Sequence, residues 1–234
     1  MENMMHDRVS PPSQAPNMSP TMSPEAAAAW EKRFTAALAE AAAADPAHDI
    51  LHVRRVVHTA KALCAVECGR LDVVLPAAWL HDLVAVPKDD PRRSSASRLS
   101  AEAATGFLRQ AGYPAELLPD IAHAIEAHSF SARVTARTLE ARIVQDADRL
   151  DGLGAIGIAR CFATTGVLGR PFYSEDDPFC ETRPPDDGLY AVDHFYTKLF
   201  RTAETLTTEA GRAEGRLRAE EMRRYLSALA RELG

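Results

Sequence analysis

The sequence has no run of about 18 apolar residues, the minimum length for a helix that crosses a bilayer. It also has no excess of positive charge, because its 234 residues carry a formal net charge of −6 at pH 7. Sequence-independent binding to nucleic-acid phosphates needs clustered cations, which this balance does not supply. We therefore expect neither a membrane-spanning protein nor a general nucleic-acid-binding protein.

Cysteine is scarce, with four residues in the chain. The first 23 residues show neither the basic start nor the apolar segment of a secretory signal peptide, so we expect a cytoplasmic protein. Cys64 and Cys68 are one helical turn apart, but the second close pair of cysteine or histidine that a zinc site needs is missing. We therefore expect both thiols to be buried and to behave as small apolar groups.

Alanine is abundant, which favours closely packed helices over strands. Residues 1–24 are rich in methionine, proline and serine without helical periodicity, so we predict a disordered N-terminal tail. The length fits one domain, which we place at 25–234 and predict to be all-α. Apolar periodicity predicts helices over 25–44, 47–67, 72–83, 99–111, 115–127, 155–165, 190–200 and 205–232.

The helix predicted over 72–83 is apolar until it reaches the adjacent pair His81-Asp82. We expect this helix to be central and Trp79 to belong to the core. An ionised carboxylate is rarely placed at the end of such a segment unless it is paired or binds a metal. One imidazole nitrogen and one carboxylate oxygen suit Mn²⁺, Fe²⁺, Ni²⁺, Co²⁺ or Mg²⁺, but a catalytic metal needs further ligands.

Histidines on the preceding helix offer the first partners. His48, His52 and Arg55 fall close to one face at i, i+4 and i+7, so two imidazoles and a guanidinium can reach a shared pocket. His58 lies off this face, and we interpret it as structural.

Two later segments offer further partners. Asp148 and Asp151 share a helical face at i, i+3, whereas Asp146 points elsewhere. His123 and His128 are separated by about 500° of helical rotation, so one histidine, which we expect to be His128, faces the pocket.

Two stretches leave alternatives open. The basic segment with Lys88, Arg93 and Arg98 is either a solvated loop before a capped helix or a clamp for phosphate oxygens. Residues 166–188 form a predicted loop that is either a lid or a cover. Its aromatic residues Phe172, Tyr173 and Phe179 either stack on a base or form a small core of their own.

The order of His52, His81-Asp82 and Asp148 resembles the metal ligands of HD-domain metal-dependent phosphohydrolases. The likeness covers about residues 30 to 232. Within that superfamily, the sequence resembles the YedJ-like branch. It extends through these further motifs: His48-Asp49, Arg54-Arg55-Val56, Pro87-Lys88 with Arg93 and Ser97, 123–130, 145–150, 154–157, 176–179 and 193–195.

The resemblance implies an all-α bundle in which His52, His81, Asp82 and Asp148 bind one divalent ion, with Mn²⁺ preferred. It also implies hydrolysis of a nucleotide to a monophosphate and pyrophosphate by metal-activated water. The residues assigned to catalysis are Lys88, His128 and Asp82. The residues assigned to substrate binding are His48, Arg55, Lys88, Arg93, Arg98, His123 and His128.

Other functions stay open at this stage. The chain is alternatively a nucleotidase or phosphodiesterase, a di-iron oxygenase, or a non-catalytic nucleotide-binding module. A binuclear site in which His123 or His128 binds a second ion also stays open. The expected partner is a small phosphorylated molecule, and a second copy of the chain is left open as another.

Overall fold

The regular structure of this protein is helical throughout the residues that the computed structural model describes, which are 22–44, 50–86 and 90–234. In these ranges two 3₁₀ helices, Pro91–Ser95 and Ala115–Leu117, and a π-helical turn, Phe195–Leu199, lie between the α-helices. None of the described helices is long and apolar enough to cross a membrane. The prediction of an all-α fold is confirmed. The α-helices of these ranges are α1 (Pro24–Ala44), α2 (Ile50–Val66), α3 (Leu71–Leu80), α4 (Ala96–Gln110), α5 (Leu118–His128), α6 (Leu139–Asp151), α7 (Gly154–Val167), α8 (Phe200–Glu204) and α9 (Glu209–Leu233).

Helix α3 lies at the centre of the fold because nearly all of its side chains are apolar. Residues 73–80 are all buried, Trp79 among them, and the helix packs against α1, α2, α5 and α6. It ends at Leu80 instead of Leu83, since the Leu83 N–H donates to the Leu80 carbonyl at 3.2 Å and closes a turn. His81 and Asp82 therefore lie in a turn at the end of a buried helix.

Asp146 joins α6 to the start of α9. Its fully buried carboxylate accepts hydrogen bonds from the backbone N–H and the hydroxyl of Thr208, both at 2.7 Å, and from the N–H of Thr207 at 3.0 Å. Thr208 also caps α9 through the Gly211 N–H. Because Thr207 and Thr208 donate to this carboxylate, α9 begins at Glu209, later than the sequence pattern predicts.

The helix predicted over 190–200 also begins late. The N–H groups of Ala191 and Val192 donate to the carbonyls of residues 171 and 172, at 3.2 and 2.9 Å, and are thereby drawn away from a helical ladder. Arg183 donates two hydrogen bonds to the fully buried Asp193 carboxylate and fastens the preceding loop to the domain. These contacts indicate that the loop predicted over 166–188 is a cover and not a lid.

The aromatic residues of this loop differ in their surroundings. Tyr173 and Phe179 are partly buried against the core. Phe172 is more exposed and sets its ring edge-on against Phe162, with the centroids 5.0 Å apart. The aromatic residues of the loop therefore pack against the rest of the domain and do not form a separate core of their own.

The expectation that both neighbouring thiols are buried is wrong for Cys68. Cys64 is buried, but Cys68 is exposed and has a φ of 55°. The Gly69 N–H donates to the Cys64 carbonyl at 3.0 Å, which is the bond of a Schellman cap. Cys68 occupies the left-handed position of that cap and points into solvent.

Candidate metal centre

Five polar side chains meet at the end of α3, contributed by α2, α5, α6 and the turn after α3. The Asp148 Oδ1 atom lies 3.4 Å from the His52 Nε2 and 3.9 Å from the His81 Nε2. The Asp82 carboxylate lies 3.7 Å from the His81 Nε2 and 3.6 Å from the His128 Nε2. The structure thus brings together the four residues expected to bind a metal and adds His128 to them.

All three imidazoles turn their Nε2 atoms toward this centre because their Nδ1 atoms are engaged elsewhere. The Nδ1–H groups of His81 and His128 donate to main-chain carbonyls three residues earlier, at 2.8 and 2.6 Å. The Nδ1 of His52 lies 2.7 Å from the Asp151 carboxylate, to which it donates. A ring that donates from Nδ1 keeps the Nε2 lone pair for a metal, so the orientation of all three rings suits metal binding.

The donor set fits a divalent ion. The Nε2 atoms of His52 and His81 are only 3.3 Å apart, so two bare lone pairs would repel each other unless a cation or a proton lies between them. Imidazole nitrogens mixed with carboxylate oxygens suit Mn²⁺, Fe²⁺, Co²⁺, Ni²⁺ or Mg²⁺ better than a soft ion. Two overlapping groups of ligand atoms are close enough together to hold such an ion. They are His52 with His81 and Asp148, and His81 with Asp82 and His128.

The protonation states in the metal-free chain follow from the same contacts. Burial alone would lower the pKa of His52, but hydrogen bonds to Asp148 and Asp151 outweigh it and raise the pKa to about 10. Burial lowers the pKa of His81, which is fully buried and stays neutral. Loss of water would raise the pKa of Asp82, but the neighbouring imidazoles hold it well below its usual range, so this carboxylate is ionised.

The raised pKa of His52 makes metal binding depend on pH. A proton and a metal ion compete for the same Nε2 atom, and below about pH 10 the proton is present in the metal-free chain. We expect the apparent Mn²⁺ affinity to rise about 10-fold per pH unit between about pH 6 and pH 9, because one proton must leave for each ion bound. Calorimetry in buffers of different ionisation enthalpy measures this proton release. Binding without proton release would contradict the assignment of His52.

Asp151 is a site residue to which the sequence pattern gave no role. It is almost fully buried and accepts hydrogen bonds from His52, from Arg55 (Nε, 2.6 Å) and from Arg160 (Nη1, 3.1 Å). His52 and Arg55 hold the pKa of Asp151 well below its usual range although burial opposes them. The signal in the sequence was the i, i+3 spacing from Asp148, which places both carboxylates on one face of α6.

The structure does not gather all the residues expected to bind substrate. Arg93 donates to the Val86 carbonyl at 2.7 Å, and Arg98 is exposed on the first turn of α4. The His123 Nε2 accepts the backbone N–H of residue 137 at 3.0 Å. The remaining two residues of that set, His48 and Lys88, lie outside the described residues.

A cavity of about 630 Å³ opens beside the metal centre, between α2, the junction of α6 and α7, and α9. Arg55 and Asp151 form part of its wall, and the exposed His58 lies at its edge. The apolar part of the lining includes Leu153 and Ile156. The Asp151 carboxylate that holds His52 is thus part of the wall of this cavity.

The comparisons with known proteins agree with this site. A family model for the HD domain matches residues 49–153, a range that contains all four expected metal ligands. The chain is 32% identical over 190 residues to the uncharacterized protein YpgQ of Bacillus subtilis, covering 80% of this chain and 82% of that protein. The chain therefore belongs to the HD-domain superfamily, while its place in the YedJ-like branch stays a prediction.

Solved structures with the same fold include two that bear on function. The crystal structure of Bacillus subtilis YpgQ in complex with ADP matches with a TM-score of 0.65 and 29% identity, covering 86% of this chain and 95% of that one. An HD-superfamily hydrolase from Bacillus thuringiensis matches with a TM-score of 0.68 and 27% identity, covering 86% and 97%. The fold described here is that of an HD-superfamily hydrolase with side chains suited to a divalent metal.

Proposed function

We propose that this protein is a metal-dependent phosphohydrolase that cleaves a nucleoside triphosphate or deoxynucleoside triphosphate to a monophosphate and pyrophosphate. The observation that carries the proposal is the convergence of three imidazole Nε2 atoms and two carboxylates at one end of α3. The choice of a nucleotide is supported by the relative from Bacillus subtilis, which was crystallised with ADP.

We propose His52, His81, Asp82 and Asp148 as ligands of a single ion, with Mn²⁺ preferred. A bound divalent ion supplies Lewis acidity and lowers the pKa of its water. The two groups of ligand atoms share His81, and the Nδ1 of His81 is engaged by a main-chain carbonyl. Because His81 has one nitrogen to offer, the two groups describe one site, which favours one ion over two.

His128 has a position and a charge suited to general acid catalysis. The Asp82 carboxylate, 3.6 Å from the His128 Nε2, raises the pKa of this buried imidazole although burial opposes it. A protonated imidazole in that place protonates a leaving oxygen. Asp82, whose side chain is 54% exposed, faces the open side of the centre where a phosphate can approach. Lys88, Arg55 and Arg93 remain our proposals for neutralising phosphoryl charge.

The function is tested by measuring pyrophosphate and phosphate release from a panel of nucleotides. The protein is first stripped with chelator and then resupplied with Mn²⁺. We expect pyrophosphate release that depends on Mn²⁺ and that falls at least about 100-fold in Asp82→Ala, because the metal loses a carboxylate ligand.

This experiment, together with nucleotide-binding and metal analyses of the purified protein, separates the other candidates. Orthophosphate without pyrophosphate would indicate a nucleotidase, and release from a phosphodiester would indicate a phosphodiesterase. Tight nucleotide binding with no turnover in Mn²⁺ would contradict an enzymatic function. Iron at two ions per chain after aerobic purification would favour an oxygenase.

A further inference from the structure

Asp151 differs from the other groups that orient the imidazoles. His81 and His128 are held by main-chain carbonyls, which side-chain substitution leaves in place. His52 depends instead on a side chain, the carboxylate of Asp151 at 2.7 Å. Among these three rings, His52 is therefore the one whose orientation a single substitution elsewhere in the chain can alter.

The surroundings of Asp151 keep it an ionised acceptor. Arg55 donates from Nε to one carboxylate oxygen at 2.6 Å and from a terminal nitrogen to the other at 3.1 Å. Arg160, which projects from α7, donates to the second oxygen at 3.1 Å. A carboxylate without a proton can only accept hydrogen bonds, so the His52 ring must present an N–H to it.

We propose that Asp151 is a positioning residue that fixes the ring orientation and tautomer of His52, and that Arg55 and Arg160 hold Asp151 in place for this task. The inference rests on the proposed metal centre and deepens it. It also adds a second role to Arg55, which the sequence assigns to substrate binding. The Arg55 guanidinium donates to Asp151 in addition to any contact with substrate.

Asparagine at position 151 provides a nearly isosteric test. Its amide can turn an N–H instead of an oxygen toward the His52 Nδ1, which then becomes the acceptor and carries no proton. The proton moves to Nε2 in that tautomer, and the lone pair points away from the metal. Partners of this kind typically change metal affinity 10- to 100-fold, roughly the effect we expect here.

The experiment compares Asp151→Asn with the unaltered chain in three measurements. Calorimetry with Mn²⁺ gives the dissociation constant, which we expect to rise about 10- to 100-fold. Long-range ¹H–¹⁵N correlation spectra of the Mg²⁺-saturated protein report the His52 tautomer, and we expect the Nε2–H form to appear only in the variant. Pyrophosphate release is expected to recover at high Mn²⁺, which distinguishes weak metal binding from a damaged site.

Two further variants control this test. Arg160→Gln removes one partner of Asp151 from a side chain that is 58% exposed, and we expect Mn²⁺ affinity to fall about 3-fold. Arg54→Gln removes an exposed charge that lines the neighbouring cavity, and we expect no change in affinity. If Asp151→Asn fails to fold, the Mn²⁺ affinity of Arg160→Gln still tests whether Asp151 positions His52.

A solely structural role for Asp151 predicts a different pattern. Asp151 links α2 to α6 and α7, so its loss would then lower thermal stability while Mn²⁺ affinity and the His52 tautomer stay unchanged. That result would overturn the inference. Failure of the proposed function is recognised separately, because Mn²⁺ binding that depends on Asp151 can be observed even if no nucleotide is cleaved.

Discussion

Replacing His81 with alanine is expected to leave the protein without its metal. His81 is fully buried, its Nε2 belongs to both groups of ligand atoms, and its Nδ1 is fixed by a hydrogen bond. Because a catalytic metal contributes several kcal/mol to transition-state stabilisation, we expect pyrophosphate release to fall at least about 10³-fold. Metal content measured after dialysis against Mn²⁺ should fall from about one ion per chain to nearly none.

The control for this prediction is His58→Ala, which removes an exposed histidine about 1.7 turns along α2 from His52. We expect metal content and activity to stay at the level of the unaltered chain. Since alanine at position 81 leaves a buried space, His81→Gln keeps more of the volume and serves as a second test. Full metal occupancy in a folded His81 variant would show that the site has been assigned wrongly.

Replacing Asp146 with alanine is expected to lower the free energy of unfolding by about 3 kcal/mol or more. The substitution removes the acceptor of two backbone N–H groups and the Thr208 hydroxyl, and Thr208 is buried, so water cannot replace the lost bonds easily. Denaturation in urea with chelator present measures the change without a contribution from metal binding. The start of α9 should lose protection from hydrogen exchange first.

Asp176→Ala is the matched control, since Asp176 is an exposed aspartate on the covering loop. Its free energy of unfolding should stay within about 0.5 kcal/mol of the unaltered chain. A comparably small effect at Asp146 would mean that the Thr207 and Thr208 donors find other partners. Gly211→Ala offers an independent check, because a Cβ there would lie 2.5 Å from the Asp146 Oδ2.

The helices of this fold are predictable because their signals are local. The apolar stripe of α2 and the continuous apolar run of α3 depend on residues three or four positions apart, which the sequence displays directly. The start of α9 at Glu209 depends instead on hydrogen bonds from Thr207 and Thr208 to Asp146, which lies 61 and 62 residues earlier in the chain. The boundaries were therefore predicted less well than the helices themselves.

The three aspartates of α6 show that the sequence also predicts the site only in part. Their spacing separates Asp146 from Asp148 and Asp151, but it does not say what each one contacts. The partners of Asp151 on α2 lie 99 and 96 residues earlier in the chain, and those of Asp146 lie 61 and 62 residues later. Only the folded structure shows that one carboxylate orients a histidine and another supports a helix end.

The carbonyls that hold His81 and His128 belong to the last turns of α3 and α5, where a helix leaves main-chain acceptors without partners. Each imidazole therefore completes a helix end with one nitrogen and keeps the other for an ion. Rotamer freedom of these side chains is lost when the helices form, before any ion arrives. Metal uptake should consequently carry a small entropic penalty and proceed with little rearrangement, so that the empty and loaded proteins differ mainly in charge.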